Sequence, residues 1–321
     1  MRITVVGAGI VGLASALRLR EAGHQVHIVA ERTGAQTTSA VAAALWFPYL
    51  AAPQDAVARW AAGGLRALTG LATTAPPAGV DLRTGRQLFR TPTPDPWWTP
   101  AAPPLRRLSG DELPAGFGDG IEITVPVVDT PLHLSWLTER LRAMGTPVTR
   151  RKVSSLDDAA GASGGADVVV NCAGLGAREL AADPALEPVR GQVVVLEQTG
   201  LREWILDDTD PVDLTYVVPR RTTIVVGGTA QRGDGDVRLR DTDAHAMLRR
   251  AIALLPELAH AAIVDQRVGL RPARSAVRLE RTDERGVDAV HCYGHGGAGV
   301  TLAYGCADEV VQLIATGQVP P

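Results

Sequence analysis

The sequence predicts an α/β protein in which a parallel, nucleotide-binding sheet is interrupted by a smaller, mostly antiparallel β-sheet unit. Three observations carry this. Residues 2–32 read as strand, glycine turn, helix, strand, acid. A buried-type apolar run at 167–172 ends in a glycine turn, and a second glycine cluster at 294–299 opens a helix-like stretch, so nucleotide-type elements recur late in the chain. Between 190 and 230, short apolar runs follow one another too closely for crossover helices, which fits antiparallel pairing.

The first unit is the most specific. Residues 3–6 (Ile-Thr-Val-Val) form a short strand, and Gly7, Ala8, Gly9, Ile10, Val11 and Gly12 fit G-x-G-x-x-G. A helix follows with Leu13, Ala16 and Leu17 at helical spacing, and Gly23 stands where a glycine ends a helix. The second strand covers 26–29, and Glu31 follows nineteen residues after Gly12. The glycines let the backbone close on a pyrophosphate, the helix N-terminus stabilises its charge, and the acid takes a ribose hydroxyl pair.

Further along, residues 40–50 are mostly apolar. The proline-rich stretch 91–104 excludes helix and central strand, and Trp97-Trp98 reads as its packing anchor. A helix is expected over 132–144 and a strand over 148–153, with Lys152 exposed. The run 167–172 suits a parallel sheet covered on both faces. Strands are expected at 193–196, 215–219 and 223–228, and helices at 244–255 and 302–315. No internal repeat is visible.

The 321 residues suffice for a large core, and 45% hydrophobic content with a net charge of −3 describes an ordinary globule. That balance gives no reason to expect nucleic acid or an anionic membrane as partner. The only lysine is Lys152; basic charge is otherwise arginine. Cys172, Cys292 and Cys306 are an odd, scattered set, which argues for a reducing compartment. No run is long enough to span a membrane, the apolar start is explained by the nucleotide unit rather than a signal peptide, and the C-terminus carries no organelle address. The expected location is the cytoplasm. The seven histidines and three cysteines show no metal-ligand spacing.

The late cluster Tyr293-Gly294-His295-Gly296-Gly297-Ala298-Gly299-Val300-Thr301 decides the cofactor. A nicotinamide dehydrogenase has no general need of a second glycine loop opening a final helix. A flavoprotein does, because reduced flavin carries negative charge that helix N–H groups stabilise. On these residues the chain resembles the D-amino-acid oxidases, within the wider family that includes D-aspartate and glycine oxidases. The similarity runs through Glu31-Arg32 and Thr37-Thr38-Ser39, then 41–49 (VAAALWFPY) and Arg151-Lys152-Val153. It continues through 170–174 (VNCAG), Arg190-Gly191-Gln192 and 216–219 (YVVP). Its most specific segments are 269–274 (GLRPAR) and 294–297 (GHGG).

The resemblance implies a Rossmann-like FAD-binding domain (1–51, 132–184 and 271–321) interleaved with a mostly antiparallel substrate domain (52–131 and 185–270). It implies that Arg271, in the G-[FL]-R-P motif, holds the substrate α-carboxylate by a two-pronged guanidinium contact. Tyr216 adds a hydroxyl to that carboxylate, and the Gly297 carbonyl accepts the amine. FAD, expected to be non-covalent, is held by Gly7 to Gly12, Glu31, Arg32, Thr37, Thr38 and Ser39, by the Ala44 and Leu45 backbone at the flavin N5/O4 edge, and by the Val153 backbone at the adenine. Gly174, Gly294, Gly296, Gly297, Ala298, Gly299, Val300 and Thr301 complete the set, with Thr301 near the flavin C2 carbonyl. His295 reads as a structural hydrogen-bonder rather than a base.

The implied activity is oxidative deamination of neutral D-amino acids. Hydride passes to flavin N5, O2 accepts the electrons as hydrogen peroxide, and the imino acid hydrolyses to a 2-oxo acid and ammonia. Two departures stand out. No tyrosine lies between Asp207 and Thr215, so a closing lid is not expected, and Ala298 replaces a bulky aromatic found in some relatives. The D-aspartate oxidases carry an arginine after Gly-Gly-Thr, where this chain has Ala230, although Arg220, Arg221 or Arg232 could substitute. The competing readings are an oxidase of acidic D-amino acids, of glycine or sarcosine, and a non-catalytic dinucleotide-binding subunit or sensor. A monomer or homodimer is expected.

Overall fold

The computed structural model describes residues 1–162, 164–210 and 214–317. The expected shortened lid segment before Tyr216 therefore lies partly outside the described residues. The strands, in chain order, are β1 (Arg2–Val6), β2 (Gln25–Ala30), β3 (Val80–Phe89), β4 (Leu105–Arg107), β5 (Asp119–Val128), β6 (Val148–Arg150) and β7 (Val168–Asn171). They continue as β8 (Glu187–Glu197), β9 (Trp204–Asp207), β10 (Thr215–Pro219), β11 (Thr223–Gly227), β12 (Gln231–Arg232), β13 (Ile263–Glu284) and β14 (Val287–His295). They form one sheet in the order β4-β5-β3-β9-β10-β11-β8-β13-β14-β7-β1-β2-β6, with β12 beside β8. The end β14-β7-β1-β2-β6 is parallel. The other end is antiparallel except where β3 meets β9.

A second, separate sheet was expected for 190–230; the structure corrects this. Those strands join the parallel ones through β13, a single 22-residue strand. Its first half pairs β8 from Ile263 to Ala273, and its second half pairs β14 from Arg278 to Glu284, with a bulge between. The strand expected at 148–153 also shortens to the three residues of β6.

Helices cover the sheet. The N-terminal helix (Ile10–Glu21) is buried along most of its length, as expected for an element packed in a doubly covered sheet. The long helix Gln54–Thr74 crosses the C-terminal helix Gly299–Thr316 through glycines. A Cβ on Gly63 would stand 2.8 Å from the Gly305 Cα, and one on Gly64 would overlap the Thr301 carbonyl. Trp98 anchors its proline-rich loop as expected, buried against Trp46 and Phe47. Trp97 does not; it is exposed.

The three cysteines, scattered in sequence, are all buried and free. No helix is long and apolar enough to cross a membrane.

Candidate active site

At the first glycine turn, Gly7 has φ of +111°, and a Cβ there would overlap the Cys172 carbonyl at the end of β7. A Cβ on Gly12 would overlap the Gly7 carbonyl. These close approaches bring the helix N-terminus against the strand ends. Gly9 caps that helix without a side chain, and its first turn holds no acid. Ser39 Oγ accepts the Ile10 N–H at 3.0 Å, while the Val11 and Gly12 N–H groups have no acceptor within the helix. The positive end of the helix is thus presented to an anion.

A cavity of about 330 Å³ at the end of β2 is lined by Glu31, Arg32, Gln36 and Arg150. Arg151 N donates to the Ala30 carbonyl at 2.9 Å, which lays the 151–153 backbone along that same strand end and puts Val153 beside it. Gly174, with φ of +58°, turns the chain after β7. The Thr37 hydroxyl donates to the Gly34 carbonyl at 2.8 Å, and the Thr38 hydroxyl donates to the Leu270 carbonyl of β13 at 3.1 Å.

At the middle of the molecule, residues 44–46 are clamped to β5. Val128 N donates to the Ala44 carbonyl and Trp46 N to the Pro126 carbonyl, both at 2.9 Å, and Leu45 bridges Val127. Ala44 has φ of +60°, a left-handed conformation that costs a non-glycine residue of order 1 kcal/mol and is held by these bonds.

The second glycine loop ends β14 and enters the C-terminal helix, whose first turn has neither a capping side chain nor an acid. Gly294 and Gly296 both have positive φ. Gly296 N donates to the Pro272 carbonyl of β13 at 2.8 Å. Tyr49 and Leu50 lie so close over Gly297 and Gly296 that side chains there would clash. Ala298 is buried, Gly299 and Val300 open the helix, and the Thr301 hydroxyl is consumed by the Phe47 backbone, accepting from its N–H at 2.9 Å and donating to its carbonyl at 3.0 Å. What Thr301 offers a ligand is its backbone N–H.

Arg271 stands on β13 between the two carbonyls just described. Its Nη1 donates to the Thr229 carbonyl at 2.8 Å, and its guanidinium lies flat where a side chain on Gly191 would be. That glycine is fixed because its neighbours point the other way. Arg190, fully buried, bonds Asp243 at 2.9 Å, Gln231 at 3.0 Å and Gln192 at 2.8 Å. No carboxylate among the described residues pairs with Arg271. The Tyr216 ring covers Gly227 and Gly228, and its phenol sits beside Arg271. Burial pushes the Tyr216 pKa up while Arg271 opposes the rise, so the hydroxyl stays protonated at neutral pH.

Tyr49 is a site residue to which the sequence assigned no role. Burial raises its pKa, Arg271 and Arg232 oppose the rise, and Tyr216 and Asp208 add to it. It stacks on Phe47 at 6.5 Å. Its place in the 41–49 run that carries the family resemblance was the available signal.

His295 is buried and points to Cys292 Sγ, 4.0 Å from Nε2. Burial lowers its pKa to about 4. The structure brings Cys292, His295 and Cys306 together with their ligand atoms within 4.8 Å of one another, a convergence that spacing did not show. The hydrogen-bonded Cys172 thiol pulls the Cys292 pKa down, but the Cys306 thiol and burial outweigh it and leave Cys292 well above the usual thiol range, which disfavours the thiolate a metal requires.

Residues 2–313 match the family described as FAD dependent oxidoreductase. The chain belongs to the FAD dependent oxidoreductase family. A D-amino-acid oxidase of Rubrobacter xylanophilus is 45% identical over 97% of this chain and 95% of its own. One of Streptomyces coelicolor is 42% identical over 97% and 96%. The crystal structure of glycine oxidase from Geobacillus kaustophilus superposes with a TM-score of 0.81 at 20% identity, covering 98% of this chain and 95% of that one, which is a likeness of fold.

FAD, the cofactor of the FAD dependent oxidoreductases, fits the residues present. A dinucleotide needs an uncapped helix N-terminus for its pyrophosphate, a polar cavity at the second strand's end for its ribose and adenine, and space against backbone N–H groups for its ring system. The glycine turn at Gly7 to Gly12, the cavity at Glu31 and Arg32, and the acid-free N-terminus at Gly299 supply these.

Proposed function

We propose that this chain is an FAD-dependent D-amino-acid oxidase acting on neutral rather than acidic D-amino acids. The observation that carries this reading is Arg271, a half-buried guanidinium with no carboxylate partner among the described residues, set between two loops suited to a flavin dinucleotide. Such a cation calls for an anionic ligand. An α-carboxylate takes its two parallel hydrogen bonds, and the protonated Tyr216 hydroxyl donates a third. The Gly297 carbonyl accepts a hydrogen bond from the amine, with Cα–H directed inward. Bound FAD supplies the hydride acceptor, and O2 takes up the electrons as hydrogen peroxide.

No basic side chain is required at the Cα. His295 is buried away from the opening and has little proton affinity at neutral pH. Orientation and the two helix N-termini do the work. The same reading places FAD on the site residues named for it, including Val153, Gly174, Gly294 and the Ala44–Leu45 backbone. It divides the chain near residues 51, 131, 184 and 270, and it puts a monomer or homodimer in the cytoplasm.

Rejection of acidic side chains rests on missing cations. Arg221 pairs with Asp81 at 3.0 Å and Arg232 with Glu187 at 2.6 Å. Arg220 is buried on the Ala42 carbonyl and Thr130. These three arginines are already engaged, and a second carboxylate would have to break one of those contacts to find a cation. Peroxide release from the purified yellow protein across a D-amino-acid panel tests the reading. D-Alanine should be oxidised and L-alanine not, with kcat/KM for D-aspartate at least tenfold below that for D-valine. Oxidation of L-alanine alone, or no peroxide from any substrate, defeats it.

A further inference from the structure

We propose that Asp208 and Gln87 form a side-chain subsite in the substrate pocket that recognises a terminal ammonium or guanidinium, making basic D-amino acids the preferred substrates. The inference rests on the D-amino-acid oxidase reading, keeps its rejection of acidic side chains, and ranks basic side chains above neutral ones.

The sheet register places both residues on the substrate face. Tyr216 on β10 pairs Leu206 on β9, and Leu206 pairs Gln87 on β3. Paired residues of adjacent strands share a face, and Asp208, just past the end of β9, is brought to that side by its bond with the Gln87 amide. The intervening Ile205 and the neighbouring Leu88 belong to a different apolar cluster behind the sheet. Leu206 packs with Tyr216, Phe47 and Tyr49. Arg271 is hydrogen-bonded beside the Tyr216 phenol and Asp208 beside Gln87, so one face of the sheet carries both charges. Arg271 takes the α-carboxylate; Asp208 lies toward the side chain.

The chemistry of the pair is one-sided. Gln87 is only 4% exposed. Its Nε2 donates to Asp208 Oδ1 at 2.8 Å, which turns its amide oxygen away, and that oxygen is buried without a partner. Asp207 next door is neutralised by Arg90 at 2.7 Å. Asp208 has no cation among the described residues, and burial together with Asp207 raises its pKa. The subsite thus offers a carboxylate and an orphaned amide oxygen, both acceptors. A group with several N–H donors and positive charge suits both, whereas an alkyl side chain leaves Asp208 without a cation and the Gln87 oxygen without a donor. The same carboxylate repels D-aspartate and D-glutamate.

The test compares isosteres, so that any general loss of activity cancels. For the wild-type holoenzyme, kcat/KM for the best of D-ornithine, D-lysine and D-arginine should exceed that for D-norleucine by tenfold or more. Asp208→Asn should bring that ratio down at least tenfold, and Gln87→Leu should lower it as well, which keeps the test usable if one variant loses FAD. An unchanged ratio in either flavin-loaded variant, or a wild-type preference for D-norleucine, overturns the subsite. Failure of the wild type to oxidise any D-amino acid, D-alanine included, instead removes the oxidase reading beneath it.

Discussion

Arg271 is costly to keep and specific to remove. Its guanidinium is held by the Thr229 carbonyl and the flat face above Gly191, not by a carboxylate. Arg271→Ala should therefore leave FAD bound and the fold intact while kcat/KM for D-alanine falls by tens to thousands of fold, the measure of about 2–5 kcal/mol for one partner of a desolvated charge pair. Tyr216→Phe removes one neutral hydrogen bond worth about 0.5–1.5 kcal/mol and should cost roughly tenfold or less. Steady-state kinetics with flavin absorbance as the loading check measures both. A normal KM in Arg271→Ala would place the carboxylate anchor elsewhere. Arg271 and Tyr216 were legible in the sequence because their motifs are short and contiguous. Tyr49, Asp208 and Gln87 were not, because they come from a turn, the residue after β9 and the strand β3, and only the folded chain brings Asp208 and Gln87 together.

Among the elements, local signals were read well and tertiary ones were missed. The strand, glycine turn and helix at 2–21 are legible because each step is decided within a few residues. The helix Gln54–Thr74 escaped notice because it contains Gly63, Gly64 and Gly70, which lower helix propensity. Two of these glycines exist for the crossing with the C-terminal helix. Gly305→Ala would drive a methyl into the Trp60 carbonyl and should destabilise by about 2–3 kcal/mol, at the upper end of overpacking costs. Gly70 has nothing near it, so Gly70→Ala should stabilise by about 0.5–1 kcal/mol. Thermal unfolding of the two variants should shift in opposite directions; equal shifts would mean the crossing is not close-packed. β13 was missed for another reason. Pro272 and a run of arginines hide a central strand, and only its bulge and its two different partners accommodate them.

Taken as one molecule, the protein buries histidines that stay neutral. His133 Nδ1 donates to the Ala78 carbonyl at 2.8 Å and Nε2 accepts from the Tyr304 hydroxyl at 2.9 Å; burial lowers its pKa to about 4, as it does for His295. In the unfolded chain these imidazoles bind protons near pH 6.5. The unfolded state therefore holds more protons between about pH 6.5 and 4, and stability should fall as pH drops through that window. Each tenfold gap in proton affinity is worth about 1.4 kcal/mol, so the pair accounts for a few kcal/mol. Urea midpoints at pH 7, 6 and 5 should decline steadily, before the carboxylates protonate. A flat profile down to pH 5 would mean that these rings are solvated or protonated in the native state.

The two carbonyls on either side of Arg271 are each taken by a loop from the cofactor side, Leu270 by the Thr38 hydroxyl and Pro272 by the Gly296 N–H. On the proposed reading, ordering those segments around FAD would set the backbone that carries Arg271, and a carboxylate on Arg271 would steady the segments. Such coupling is reciprocal by thermodynamic necessity. A non-oxidisable carboxylate should tighten FAD by the same factor by which FAD tightens the carboxylate. Measuring the FAD dissociation constant with and without a saturating carboxylate, in the wild type and in Thr38→Val, would show that factor shrink when one of the two ties is cut.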